Sequence, residues 1–565
     1  MRARILGIFL LLVLSLGGIA TKLFILQIHQ TGRLTARATK QYKRLVPIVS
    51  RRGTIYDRSG RELAVSLRVF SAFAQPAAIQ DPAETAKALA PILGQPAKEL
   101  QALLSSDKTF VWLQRQLEPV QADAISDLSL TGIGLAPESR RYYPRQERAA
   151  HILGLVGLDD HGLEGLEHEY DALLGGRPQY IAAQQDALGR IISRQEEPTP
   201  RTPIFDLTLT IDEVLQYIAE RELQKAVERS RAKAGTVIVM DPWTGEILAL
   251  ANQPTYDPNN YRKATAFARR DRSTTDYFEP GSVFKVILAA AALEEDIVRP
   301  TDMFFGENGA IEVGRTTIRD HEKYGWLTVQ QILAQSSNVG AIKIGQKVGK
   351  SLYYHYISGF GFGSLTGVDL PGETPGLIRR PKGWSALSLS VLSLGQEISV
   401  TPVQLATAFA AVANGGNLVR PHVVRAMRSQ DGSQSRELKP SVIRRVISQR
   451  TSQTLLGMLE SVVEEGTGKP AALPEYAVAG KTGTAQKVEP ATGRYSHRKV
   501  VASFIGAVPA AEPRLVILVV IDEPESFRWG GSIAAPAFRE IAGDAMKYLR
   551  VPPSRARDVR LVRAN

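Results

Sequence analysis

The sequence predicts an α/β (α+β) chain with three parts: an N-terminal transmembrane helix, a mixed domain, and a larger domain in which helices flank a five-stranded antiparallel sheet. Three observations predict this architecture. An apolar run occupies residues 5–28. A strand–turn–strand pattern covers residues 235–250, and three more strand patterns follow a helix-rich stretch, residues 281–465. Strands on both sides of a helix-rich region favour one sheet with helices on its faces.

The composition is that of a globular protein and excludes several kinds of site. The chain has 565 residues, of which 44% are hydrophobic and 22% charged, enough for roughly two to four domains. The absence of cysteine excludes disulfides, thiolate catalysis and cysteine-based zinc sites. The eight histidines are scattered, so we predict no metal site and no cofactor. The net charge is +12, but no basic block is interleaved with aromatic residues, so we predict no nucleic-acid binding.

The N-terminal segment has the length and composition of a membrane anchor. Ile5–Ala20 is almost wholly apolar, and the apolar run resumes at Leu23–Ile28. A membrane span needs ~20 such residues. Gly18–Ala20 also resembles a signal-peptide cleavage site, but the apolar residues beyond it favour a retained single-pass anchor within residues 1–30. More positive charges follow the run than precede it, so charge alone does not fix the orientation.

Residues 45–200 are predicted to form the mixed domain. Asp57–Gly60 is typical of a turn between strands, since it ends on a serine and a glycine. Helical periodicity is found over residues 82–93 and 97–104. A polar segment that contains prolines, residues 196–203, is the predicted linker to the second domain.

Residues 205–550 are predicted to form the larger domain, and 551–565 a tail. An amphipathic helix is expected over residues 212–230. Another helix is well marked, because Thr401 and Gln404 have the spacing of a capping box. The later strand patterns and the last helix lie at residues 477–485, 500–508, 515–521 and 535–548.

Three short motifs in the larger domain carry the candidate chemistry. The first is Ser282-Val283-Phe284-Lys285 at the start of an apolar helical stretch. A serine and a lysine three residues apart lie on one helix face, which suits a nucleophile and its base. Alone, such a pair is more often a helix cap beside a solvated lysine.

The second motif is Ser336-Ser337-Asn338, and the third is Lys481-Thr482-Gly483-Thr484. A serine can relay a proton and an asparagine can hold a peptide group, although the same residues also suit an ordinary polar turn. The third motif lies in a predicted strand. Its glycine lets another backbone come close, and its lysine and threonines could hold a carboxylate, although a bulge in an edge strand is the simpler interpretation.

Together the three motifs are far more specific than each one alone. Their order, SxxK, then SxN, then KTG, is the set found in penicillin-binding proteins and class A β-lactamases. Predicted strands also precede the first motif and follow the third. Residues 205–550 therefore resemble a penicillin-binding serine transpeptidase domain.

The first domain resembles the pedestal of class B, monofunctional penicillin-binding proteins. Arg52–Arg58 with Leu63-Ala64 is similar to their RGxIxDRxGxxLA signature. Ser139–Pro144 and Gly162–Glu167 are similar to two further stretches of the same domain. The signature is preceded by 51 residues, too few for the glycosyltransferase domain of class A enzymes. Within class B the division-specific, septal branch is the closest, and the elongation-specific and spore-cortex branches remain alternatives.

The resemblance implies a catalytic role for each motif. Ser282 would attack the penultimate D-Ala carbonyl of a peptidoglycan stem peptide, with Lys285 accepting its proton. Ser336 would pass a proton to the departing D-Ala, Asn338 would hold the peptide, and Lys481 would complete the site. An unperturbed lysine is protonated at neutral pH, so Lys285 must be held neutral by burial and by the charge of Lys481.

Substrate binding is assigned by the same resemblance to Thr482, Gly483 and Thr484. Lys481, Thr482 and Thr484 would hold the terminal carboxylate of D-Ala-D-Ala. β-Lactams would act as inhibitors by leaving an ester on Ser282. Because of this chemistry, we expect the catalytic domain on the outer, periplasmic side of the cytoplasmic membrane. The expected partners are a membrane glycan polymerase and other division proteins, through the anchor and pedestal. A D,D-carboxypeptidase, a β-lactamase or a non-catalytic β-lactam sensor are the competing hypotheses.

Overall fold

The computed structural model describes residues 1–48, 51–176, 179–185, 191–195, 203–489 and 492–555. The chain forms two compact units. The first contains Met1–Arg51, Arg68–Ser139 and Gly175–Pro203, and the second contains Arg52–Leu67, Arg140–Leu174 and Ile204–Asn565. Two segments of the predicted pedestal thus belong to the unit that holds the three motifs. The predicted linker and most of the predicted tail lie outside the described residues, and the domain boundaries stay a prediction.

The first unit opens with the predicted apolar helix. Arg2–Phe24 is an α-helix, and a π-helical turn, Ile25–His29, continues it. The two elements span 28 residues, their most apolar 18-residue window has a mean hydropathy of 2.3, and none of their side chains is buried in the protein. Within the described part of the chain, this is the one helix long and apolar enough to cross a membrane.

Helices and short strands make up the rest of the first unit. The two predicted helices are confirmed as Pro82–Leu93 and Ala97–Leu104. The Asp81 carboxylate caps the first one, and Gly94 ends it with a φ of 63°. The other elements are helices Thr31–Tyr42 and Pro119–Asp127, the 3-10 turn Pro76–Ala78, and strands Lys43–Ile48, Glu62–Ala74 (shared with the second unit), Val111–Leu117, Ile133–Tyr142, Gln179–Gln185 and Ile191–Gln195.

The second unit is built on a five-stranded antiparallel sheet, as predicted. Its strand order is Ile247–Gln253, Ala234–Met240, Leu515–Asp522, Tyr495–Val508 and Ala479–Val488. The first two strands are the predicted hairpin. The last of the five, which contains the KTG motif, is an edge strand of this sheet.

Helices cover both faces of the sheet. This burial explains why the sequence of the central strand is apolar throughout. Val516, Leu518 and Val520 belong to the core beneath helices Lys285–Glu294 and Pro402–Ala413. Their neighbours in the strand point into a second core, which helices Glu213–Ser230 and Gly530–Tyr548 cover. Because side chains alternate along a strand, a sheet buried on both faces needs apolar residues at every position.

The remaining elements of the second unit are short. The helices are Ala150–Leu153, Gly165–Glu169, Asp171–Leu174, Ala266–Arg269, Arg272–Thr275, Val329–Ala334, Asn338–Val348, Lys350–Gly359, Ser388–Leu392 and Gln449–Glu464. The 3-10 turns are Pro258–Lys263, Gly281–Phe284, Glu307–Gly309, Pro381–Gly383 and Lys469–Ala471. The strands are Ile55–Tyr56, Leu155–Val156, Gly162–Glu164, Phe205–Leu209, Met303–Phe305, Ala310–Val313, Thr316–Arg319, Trp326–Thr328, Asn417–Val419, Val424–Ser429, Ser435–Glu437 and Val442–Arg445.

The stretch 281–465 is helix-rich, as predicted, and it also contains several strands of three to six residues, too short to show clear alternation. One sequence-based expectation needs correction. The last helix begins at Gly530 and not near residue 535. A side chain at Gly530 would collide with the carbonyl oxygens of Gly483 and Ser503, so a residue that normally weakens helices is required at this start.

A buried ion cluster joins the three pedestal signatures inside the second unit. The Glu167 carboxylate accepts hydrogen bonds from Nε of Arg52 and from Nε of Arg141, both at 2.6 Å. Arg52 also contacts Asp171 at 2.6 Å. The side chains of Arg52 and Glu167 are fully buried and that of Arg141 nearly so. Two guanidinium groups in the interior therefore share the Glu167 carboxylate.

Replacing Glu167 by alanine is expected to lower the free energy of unfolding by about 3–5 kcal/mol, because it leaves two buried cations without their shared partner. The matched control is Glu540→Ala, which removes a surface pair with Arg539 at 2.8 Å and should cost less than ~1 kcal/mol. Denaturant unfolding of both variants measures the difference. Equal losses in the two variants would contradict a structural role for the cluster.

Candidate active site

The SxxK motif lies at the junction of two helical elements. Ser282 is in the 3-10 turn Gly281–Phe284, and Lys285 is the first residue of the helix Lys285–Glu294. Ser282 is partly exposed, whereas Lys285 is buried. Gly281 has a φ of 55°, and a Cβ atom there would lie 2.8 Å from the Thr484 carbonyl oxygen. Glycine therefore allows the turn to lie directly against the KTG strand.

The SxN motif forms the turn between helices Val329–Ala334 and Asn338–Val348. Ser336 has a φ of 58°, an uncommon conformation for a serine. Nζ of Lys285 donates to the Ser336 carbonyl oxygen at 2.6 Å and to Oδ1 of Asn338 at 2.8 Å. The turn thus presents two acceptors to the lysine of the first motif.

The KTG strand brings a second lysine to the same place. Nζ of Lys481 donates to Oγ of Ser336 at 2.9 Å, and Nζ of Lys285 lies 3.4 Å from the same oxygen. Oγ1 of Thr482 is 2.8 Å from Oγ1 of Thr467, and Oγ1 of Thr484 accepts from the Gly530 amide at 3.1 Å.

Gly483 of the motif also permits close packing. A Cβ atom at Gly483 would collide with the Ser503 hydroxyl and lie 2.9 Å from the Pro280 carbonyl oxygen. The structure therefore brings together Lys285, Ser336, Asn338 and Lys481 through hydrogen bonds. It also lays the KTG strand along the turn that carries Ser282.

Comparisons with known proteins agree with this geometry. Residues 235–543 match the family described as penicillin binding protein transpeptidase domain, and residues 47–209 match the penicillin-binding protein dimerisation domain. The chain belongs to the class B penicillin-binding proteins. The resemblance expected from the motifs is thereby confirmed.

Relatives of this penicillin-binding protein are similar over almost its whole length. It is 35% identical to peptidoglycan D,D-transpeptidase FtsI of Escherichia coli, over 97% of this chain and 91% of that protein. It is 34% identical to stage V sporulation protein D of Bacillus subtilis, over 98% and 86% of the two chains. A crystal structure of penicillin binding protein 3 from Mycobacterium tuberculosis, complexed with aztreonam, superposes with a TM-score of 0.71 at 29% identity, covering 91% of this chain and 98% of that one.

Burial lowers the pKa of both lysines at the site, Lys285 and Lys481. Burial lowers the pKa of Lys285 from 10.5 to about 7, and the nearby Asp320 carboxylate partly opposes this fall. The pKa of Lys481 lies well below its ordinary value because of burial and then because of the charge on Lys285. A large fraction of Lys285 is therefore neutral near pH 7, as a proton acceptor must be.

Several residues at this site carry no sequence motif. Asp320 bonds to the SxN turn, and the Arg319 carbonyl oxygen accepts from Nδ2 of Asn338 at 2.8 Å. The ring of His321 packs edge-on against that of Trp529, with the ring centroids 4.9 Å apart. The pKa of His321 is lowered by burial and by the charge of Lys285. Asp320 lies 17 residues before Ser337, in a stretch without periodicity, so no sequence signal pointed to it.

The pH dependence of acylation tests the state of Lys285. Because its pKa is about 7, the neutral form and hence the rate of acylation by a penicillin should rise as the pH increases through that value. Lys285→Ala and Lys285→Arg should each lose ~10²–10⁴ in rate, since arginine stays protonated at any working pH. Lys347→Arg, an exposed lysine on a neighbouring helix, is the control.

Stopped-flow or quenched labelling gives the second-order rate constants, and melting curves confirm that the variants fold. Near-normal acylation by the arginine variant would contradict the role of Lys285 as a base and leave it only a charge that orients Ser282.

Proposed function

We propose that this protein is a peptidoglycan D,D-transpeptidase that works through an acyl-enzyme on Ser282. The observation that carries the proposal is the hydrogen-bonded group formed by Lys285, Ser336 and Lys481 beside an edge strand. Lys285 is buried and largely neutral and follows Ser282 by three residues, so it can serve as the base that a serine nucleophile requires. An edge strand can pair with an extended peptide substrate.

The reaction begins at the penultimate residue of a stem peptide that ends in D-Ala-D-Ala. Oγ of Ser282 attacks the carbonyl carbon and its proton passes to Nζ of Lys285. The oxyanion lies between the backbone amides of Ser282 and Thr484. The tetrahedral intermediate collapses, the peptide C–N bond breaks, and the departing D-Ala amine takes a proton through Ser336. An amine of a second stem peptide then attacks the ester and frees Ser282.

The KTG strand supplies the substrate contacts in this scheme. Lys481, Thr482 and Thr484 hold the terminal carboxylate, and Gly483 leaves room for the peptide backbone. Asn338 orients the substrate amide once the substrate replaces its present partners. A β-lactam follows the same first step, but its ring keeps the leaving amine attached, so the ester on Ser282 persists.

The anchor and the pedestal determine where the enzyme works. The helix Arg2–Phe24 anchors the chain once in the cytoplasmic membrane, with the transpeptidase domain, residues 205–550, on the outer side where peptidoglycan is cross-linked. Residues 45–200 act as the pedestal. Anchor and pedestal together contact a membrane glycan polymerase and other division proteins. The similarity to FtsI supports a septal role, and that to a sporulation protein supports spore-cortex synthesis as a second candidate.

Labelling with a fluorescent penicillin should place one adduct on Ser282, and Ser282→Ala should abolish labelling because the nucleophile is gone. Digestion and mass spectrometry locate the adduct. Release of D-Ala from a D-Ala-D-Ala peptide with transfer to an added amine tests the transpeptidase step itself. An adduct on Ser336, or labelling that survives in Ser282→Ala, would overturn the assignment.

Depletion of the protein tests the septal role. Growing cells should form filaments, because elongation continues while cross-linking at the septum stops. Microscopy with a fluorescent D-amino acid shows where new wall is made, and complementation with wild type and with Ser282→Ala separates catalysis from any scaffolding. Round cells, or loss of wall labelling along the cylinder, would indicate elongation instead.

A further inference from the structure

Asp320 connects a surface hairpin to the SxN turn. It follows the strand Thr316–Arg319, which pairs with Ala310–Val313. Its carboxylate accepts hydrogen bonds from Oγ of Ser337 at 2.8 Å, from the Val339 amide at 3.2 Å, and from the Asn338 amide. The residue before it also orients the Asn338 side chain, through the Arg319 carbonyl oxygen at 2.8 Å.

These contacts hold the turn in its active shape. The first amides of the helix Asn338–Val348 have no partner within the helix, and a carboxylate there both satisfies them and interacts well with the helix dipole. The preceding residue, Ser336, has a φ of 58° and must be held in that conformation by its surroundings. Oγ of Ser336 is the oxygen that both lysines approach, so a shift of the turn would move it.

The same carboxylate is the acidic group that acts on Lys285 in the described structure. The other ionisable groups facing this ammonium are cationic or neutral bases: Lys481 on the KTG strand and His321 on the hairpin. Two lysines near one hydroxyl repel each other when both are protonated. Among the described residues, Asp320 thus supplies the negative charge that acts on Lys285.

We propose that Asp320 is a positioning residue for acyl transfer, which fixes the Ser336–Asn338 turn and places a negative charge near Lys285. The proposal rests on the proposed function, since it assumes that Lys285 accepts the proton of Ser282. It assigns two separable effects to one carboxylate, one through geometry and one through charge.

Two substitutions separate these effects. Asp320→Asn keeps the size of the side chain and removes its charge, whereas Asp320→Glu keeps the charge and displaces the hydrogen-bonding atoms. Glu322→Gln removes one negative charge two residues away, from an exposed side chain of the same hairpin, and is the matched control. The second-order rate of acylation by a labelled penicillin is measured across the pH range around the Lys285 pKa of about 7.

Since Asp320 raises the pKa of Lys285, its removal should let that pKa fall further and move the acidic limb of the rate profile to lower pH. Asp320→Asn should show this shift together with a plateau reduced by about 10- to 100-fold, because misplacement of ~1 Å can cost 10²-fold. Asp320→Glu should lose plateau rate while its limb stays in place. Glu322→Gln should match the wild type.

If the acidic limb of the rate profile does not move in Asp320→Asn, Asp320 is only a helix cap and the proposal is overturned. A plateau rate equal to that of the wild type would also overturn it. Melting curves check that the variants fold, and if Asp320→Asn does not fold, a plateau loss with an unmoved limb in Asp320→Glu still tests the geometric part. Failure of the proposed function would look different, because the wild type would then not be acylated at Ser282.

Discussion

Two lysine ammonium groups buried around one serine hydroxyl are the constraint on which the rest of this protein depends. Nζ of Lys481 and Nζ of Lys285 lie 2.9 and 3.4 Å from Oγ of Ser336. The interior disfavours both charges, and the charge on Lys285 further disfavours the one on Lys481. The fall of the Lys285 pKa from 10.5 to about 7 corresponds to about 5 kcal/mol against its protonated form, at ~1.4 kcal/mol per tenfold change.

This arrangement costs folding stability, and the cost depends on pH. Between pH ~10.4 and about 7 the unfolded chain binds a proton on Lys285 that the folded protein does not. The loss grows as the pH falls toward about 7 and stays constant below that value, where both states are protonated. The sheet buried on both faces, and the helices over it, must supply the stability that the site removes. The lowered pKa of the Lys285 amine thus reduces the stability of the folded protein.

Close backbone contacts hold the site together, and three glycines make them possible. Gly281 lets the turn that carries Ser282 lie against the KTG strand, Gly483 lets that strand pass the Pro280 carbonyl oxygen, and Gly530 starts the last helix against the same strand. Each position has another backbone where a side chain would be. The need for glycine at Gly483 could be predicted from the KTG motif. The need for glycine at Gly530 could not be predicted, because the sequence does not show which carbonyl groups approach it.

The sequence alone determined the elements whose cause is local, and the three short motifs. The helix that Thr401 caps, the hairpin over 235–250 and the apolar N-terminal helix follow from spacing and composition, and each is present in the structure. Only the tertiary structure decided which groups meet. The bonds from Asp320 to the SxN turn and the buried cluster around Glu167 join residues 17 to 115 positions apart. Such contacts produce no periodic pattern in the sequence, because burial and charge act through space and not along the chain.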